Sequence, residues 1–121
     1  MRLMIMAALA VSVLAANATA QTATTTPSGA DLFADRCSFC HLDGPGGQGP
    51  SLTGVVGRKA GSVADFGYSP ALKASGLVWT PENLDKFLTD PGAMVPGAAM
   101  PIHVPDAATR QAIIGYLATK K

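Results

Sequence analysis

Two cysteines three residues apart, with a histidine directly after the second, stand in Cys37-Ser38-Phe39-Cys40-His41. A thiol pair alone can cycle with a disulfide in the manner of thioredoxin, or supply half of a zinc site. With the adjacent imidazole, the set suits covalent c-type haem attachment: each thiol forms a thioether with one vinyl group, and the following ring turns onto the iron. The competing readings fit less well. No strand-like run precedes Cys37, as a thioredoxin motif requires. A tetrahedral zinc site would need both histidines of the chain, His41 and His103, with His41 crowded against Cys40. A disulfide across two intervening residues closes a small strained ring.

The elements that must position these groups are short and helical. Ser28 and Asp31 form a capping-box-like start, with Asp in place of the usual Glu, and Ala30, Phe33, Ala34 and Cys37 recur at helical spacing. A first helix should therefore deliver Cys37 to the haem edge. The Gly-rich stretch from Leu42 to Gly49, with Pro45, reads as loop. Ser69-Pro70 starts a brief helix that ends before Gly76, and Thr80-Pro81 starts another whose apolar stripe is Leu84, Phe87 and Leu88. The segment from Pro91 to Pro105 holds four prolines and two glycines and is expected to be an extended, turning loop. Asp106 should cap a last helix running to about Lys120, burying Ile113, Ile114 and Leu117. Strand alternation and internal repeats are absent from the sequence, so the fold class is all-α, a small single domain.

The amino end points to export. Arg2, an apolar run from Leu3 to Ala16 broken by Ser12, and Ala18-Thr19-Ala20 as a small-x-small cleavage signal make residues 1–20 an expected signal peptide. The run is shorter than the roughly 20 residues that span a bilayer, so retention as an anchor is the secondary alternative. Residues 21–27 read as a flexible lead-in and 28–121 as the folded domain. Arg2 is one of nine basic residues, and without it the remainder balance the eight acidic ones; Lys120-Lys121 is the longest basic run, so a nucleic-acid partner is not supported. The expectation is a periplasmic, bacterial protein, monomeric and without stable membrane insertion after cleavage. Its cysteines are committed to thioethers rather than to disulfides.

A haem held by one histidine needs a sixth ligand, and Met94, Met100 and His103 are the candidates downstream. A thioether favours reduced iron and raises the potential, whereas a second imidazole lowers it by comparison. Met100 is favoured by its frame, Pro96-Gly97-Ala98-Ala99-Met100-Pro101, in which prolines restrict the backbone and small residues permit close approach.

With these motifs in view, the chain resembles the class I cytochromes c, in the branch that holds mitochondrial cytochrome c and bacterial cytochrome c2. The resemblance covers nearly all of residues 28–121. It places Gly29 and Phe33 where the first helix crosses the last, with Tyr116-Leu117 facing them. It identifies Cys37, Cys40 and His41 as the attachment motif for one covalent haem c per chain. Gly49-Pro50-Ser51-Leu52 and the Gly57-Arg58-Lys59 stretch are similar to family segments in which the Pro50 carbonyl accepts from the free ring nitrogen of His41. Arg58, Tyr68 and Trp79 match positions around the propionates, and Pro96-Gly97-x-x-Met100 matches the methionine-ligand motif, so His41 and Met100 are the implied iron ligands. Ala98, Phe87 and Leu72 stand where relatives often carry polar groups, which implies a drier site.

The resemblance implies a soluble one-electron carrier shuttling between respiratory or photosynthetic complexes. A bc1-type complex, a terminal oxidase, a reaction centre and a dehydrogenase are all compatible partners. Docking is expected around an exposed haem edge lined by Gly92, Ala93, Ala98 and Ala99, and at Gly92, Ala93 and Ala99 mitochondrial relatives carry lysines. No enzymatic activity is expected. The alternatives are a peroxidase-like haem enzyme, or a gas-binding sensor in which Met100 is displaced.

Overall fold

In the computed structural model, which describes residues 25–121, residues 25–27 are exposed and irregular and the chain enters helix α1 (Gly29–Arg36) at Ser28. The expected signal segment 1–20 and the first part of the lead-in, 21–24, lie outside the described residues. The capping box is present as expected. Ser28 Oγ accepts from the Asp31 amide at 3.2 Å, and Asp31 Oδ2 accepts from the Ser28 amide at 3.1 Å, so two otherwise orphaned N–H groups are satisfied. The buried face differs from the expected one: Ala30 and Ala34 are exposed, while Phe33 and the C-cap residue Cys37 are buried and Leu32 packs beside them. Two small alanines bury little area, so the larger side chains decide which face turns inward.

Three further helices share one start signal, an oxygen-bearing side chain followed by proline. They are α2 (Pro70–Ala74) behind Ser69, α3 (Pro81–Thr89) behind Thr80, and α4 (Pro91–Met94) behind Asp90. Proline at the first helical position loses nothing, because its missing N–H would have no partner there, and its φ is already set for the helix. Helix α4 corrects the expectation of an irregular loop throughout 91–105. Asp90 both ends α3 and caps α4, its Oδ1 accepting from the Ala93 amide at 3.0 Å.

Helix α5 (Ala107–Leu117) starts at Asp106, whose Oδ2 accepts from the Thr109 amide at 2.7 Å, and stops three residues short of Lys120. It crosses α1 at Gly29, where an added Cβ would lie 2.1 Å from the Ala112 carbonyl oxygen. Only glycine lets the two backbones approach so closely. Phe33 and Tyr116 pack across the same crossing with ring centroids 5.3 Å apart. Leu84, Phe87 and Leu88 of α3 join Ile113, Ile114 and Leu117 of α5 in one core, each side chain stabilising the fold by roughly 1.5–3 kcal/mol through burial. Among the described residues there is no strand, only an isolated antiparallel bridge between Lys59 and Val78. Among them also, no helix is long and apolar enough to cross a membrane.

Candidate haem-attachment site

The turn after α1 brings the thiols and the imidazole to one place. The amides of Cys40 and His41 both donate to the Cys37 carbonyl, at 3.2 and 2.9 Å, which closes a tight turn. The two thiols are free rather than joined, Cys37 buried and Cys40 half-buried. Burial pushes the Cys37 thiol above its ordinary range, only partly opposed by the neighbouring Arg36 charge. Among the described residues no three His, Cys, Asp or Glu side chains gather as a metal-binding group, so the zinc alternative has no ligand set.

His41 is held from one side. Its Nδ1 lies 2.7 Å from the Pro50 carbonyl oxygen. A carbonyl can only accept, so Nδ1 carries the proton and Nε2 keeps its lone pair for a ligand. Burial lowers the affinity of the ring for a second proton, and the Pro50 hydrogen bond opposes that in part. A neutral ring with an uncommitted Nε2 is the form that binds iron. Gly49 makes the arrangement possible: a Cβ there would sit 2.4 Å from His41 Cε1 and 2.6 Å from Nδ1. The loop back to Gly49 is closed by its own amide, which donates to the Cys40 carbonyl at 2.9 Å.

The three residues expected around the propionates divide. The Trp79 ring is buried and packs on Phe87, centroids 4.9 Å apart. Its indole N–H has no acceptor among the described residues, so it is a candidate donor to an anion. Tyr68 Oη accepts from the Val63 amide at 3.2 Å and keeps its own hydrogen to donate. Arg58 is half-buried rather than a free surface charge, and part of its guanidinium is committed to backbone. Its Nη1 and Nη2 donate to the Thr53 and Ser51 carbonyls at 3.0 and 2.9 Å, so it braces the loop that follows Pro50. The donor set and the ring cradle thus fit a haem attached at Cys37 and Cys40.

The downstream candidates also separate. Met100 is half-buried and packs against the same core cluster that contains Cys37 and Trp79, as Met94 does from α4. Met94 additionally lines a shallow open cavity of about 340 Å³ between α2 and α4, together with Ala71, Leu77 and Val95. His103 is exposed, and its Nδ1 stands 3.8 Å from Asp90 Oδ1.

A family model described as "Cytochrome C oxidase, cbb3-type, subunit III" matches residues 24–117. Cytochrome c2 of Rhodopila globiformis is 45% identical over 96 residues, covering 77% of this chain and 91% of that protein. The chain belongs to the class I cytochromes c, in the bacterial c2-like branch. The solved cytochrome cH from Methylobacterium extorquens superposes with a TM-score of 0.71 at 45% identity, over 76% of this chain and 95% of that one. A cytochrome c-type cyt cy of Rhodobacter capsulatus is 44% identical over 94 residues, but the chain spans only 47% of its length. Class I cytochromes c carry covalent haem c, and Cys37 and Cys40 fit the attachment motif.

Three features of this cytochrome were not singled out from sequence. Phe39, between the two cysteines, is 81% exposed, the most open large apolar side chain among the described residues. Lys120 Nζ donates to Asp43 Oδ1 at 2.9 Å and lies 4.9 Å from the Phe33 ring centroid, tying the end of the chain to the loop after His41. Arg110 is 9% exposed and occupies a core register of α5. Its position three and four residues before Ile113 and Ile114 was the available signal.

Proposed function

We propose that this cytochrome is a one-electron carrier in which His41 and Met100 are the two axial ligands of the haem, released into the periplasm of a bacterium after removal of residues 1–20. The observation that carries the reading is the His41 ring, packed on Gly49 and bonded through Nδ1 to the Pro50 carbonyl, which leaves Nε2 uncommitted. Held by His41 and Met100, haem c would supply a reversible one-electron change at iron. The residues of the chain do the rest. Pro50 orients His41 and keeps it electron-rich, and a thioether from Met100 favours the reduced state. Trp79 and Tyr68 offer an indole N–H and a hydroxyl to buried carboxylates, while Arg58 holds the adjoining loop in place. The apolar core around Cys37 excludes water. Exposed Gly92, Ala93 and Ala99, with half-buried Ala98, support a small apolar docking face that carries no lysine.

Optical and magnetic circular dichroism spectra of the holoprotein in both oxidation states test the reading. A long-wavelength sulfur-to-iron band that Met100→Ala abolishes, with no carbon monoxide binding by the reduced parent, is the expected result. High-spin iron with rapid peroxide turnover in the untreated protein would establish an enzyme instead. Carbon monoxide binding without denaturation would establish a sensor.

A further inference from the structure

We propose that Arg110 is the positioning residue for Met100, holding the downstream end of the ligand-bearing loop so that the sulfur resists displacement. The inference rests on Met100 being the second axial ligand. From Ala99 to His103 no backbone amide or carbonyl makes a hydrogen bond among the described residues. The place of Met100 is therefore decided by where the loop is tied at either end. Upstream, the Val95 amide donates to the Pro91 carbonyl at 2.9 Å and the Ala98 amide to the Val95 carbonyl at 2.8 Å. Downstream, the Val104 amide donates to the Leu88 carbonyl at 2.8 Å, and the guanidinium of Arg110 gathers everything else.

Arg110 Nη1 donates to the Val104 carbonyl at 3.0 Å and to the Pro105 carbonyl at 2.7 Å, while Nε donates to Asp85 Oδ1 at 2.7 Å. Gln111 Nε2 donates to the same carboxylate oxygen at 3.2 Å. One planar cation thus fastens α5, the loop end and α3 together. Val104 is 1% exposed, so the tie point is enclosed and cannot be replaced by water without opening the core. Only the forked geometry of arginine reaches a carboxylate and two carbonyls at once; a lysine nitrogen at one point cannot. Asp85 in turn keeps the buried cation paired, so the carboxylate is part of the device.

Imidazole added to the oxidised holoprotein competes with the sulfur for iron, and loss of the sulfur-to-iron band reports the exchange. Arg110→Met is expected to lower the half-saturating imidazole concentration by about tenfold, the scale on which groups behind a ligand act. Arg110→Lys should recover only part of that loss. Asp85→Asn, on a side chain 30% exposed and tolerant of change, should lower it by about threefold. Phe33→Leu, at the α1–α5 crossing, serves as a variant of general instability and should leave the imidazole titration unmoved. Wild-type titrations in both Arg110→Met and Asp85→Asn would overturn the proposal. So would an equal shift in Phe33→Leu, which would mean general loosening. If Arg110→Met does not assemble, Asp85→Asn decides alone. A band that survives in Met100→Ala would instead overturn the ligand assignment.

Discussion

Replacing Gly49 with alanine should damage His41 without touching it chemically. The added Cβ would lie 2.4 Å from Cε1, 2.6 Å from Nδ1 and 3.0 Å from Nε2 of the ring, whereas ordinary contacts begin near 3.4 Å. The ring must therefore retreat by about 1 Å at Cε1, falling to about 0.4 Å at Nε2, and a shift of about 0.8 Å at Nδ1 carries the 2.7 Å hydrogen bond to Pro50 beyond the useful range of about 3.2 Å. Losing that bond costs about 1 kcal/mol, and overfilling a packed site costs about 1–3 kcal/mol more. The sum, about 2–4 kcal/mol, lowers the urea midpoint of the holoprotein by about 1–2 M. A ligand deprived of its second hydrogen bond is also a poorer donor, so the midpoint potential should rise. Gly44→Ala and Gly54→Ala separate the causes. Both positions are open, but Gly54 has φ 71° and Gly44 does not share that conformation. Gly54→Ala should cost about 1 kcal/mol through backbone strain, and Gly44→Ala should be neutral. Neither should move the potential. If Gly49→Ala matched Gly44→Ala in both urea midpoint and potential, the steric account of His41 would be refuted.

Lys120→Ala should destabilise the protein by about 1–2 kcal/mol, because the ammonium that stands 4.9 Å from the Phe33 ring and 5.7 Å from the Tyr116 ring is lost together with its ion pair. Asp43→Asn should cost less and lose its effect in high salt, since the carboxylate is largely exposed; equal costs in urea melts would contradict this division. Asp31 and Asp106 are held below the usual carboxylate range, first by side-chain hydrogen bonds and then by backbone bonds at the helix starts. Such depressed groups stabilise the fold fully above the unfolded carboxyl pKa near 3.8 and cease to do so as the pH falls through their lowered values. Asp106→Ala should accordingly be destabilising at neutral pH and progressively less so in acid, whereas a gap constant with pH would argue against the cap as its cause.

Much of this cytochrome is legible one residue at a time. The attachment motif is a local object, since two thiols and an imidazole within five residues meet wherever the chain goes. Helix starts are local too, and the oxygen-then-proline pairs at Ser69, Thr80 and Asp90 work through groups three residues apart. Helix α4 shows how such a signal is overlooked: the prolines and glycines of 91–105 suggest an extended loop, although Asp90-Pro91 satisfies the rule for a helix beginning. Which face of α1 turns inward was less legible, because alanines match the helical period without contributing enough area to decide it.

Contacts between distant segments belong to the tertiary structure alone. Spacing assigns Arg58 a charge beside Lys59, but only the folded loop turns its guanidinium onto the Ser51 and Thr53 carbonyls. The same holds for Lys120 reaching Asp43, and for Arg110 joining Asp85 to the end of the methionine loop. Local residue types determined the attachment chemistry and the helices, because their causes lie within a turn or two of chain. Packing decided what steadies His41 and the loop of Met100, because a buried charge or a stretch without backbone hydrogen bonds takes its position from whatever partners the fold brings to it.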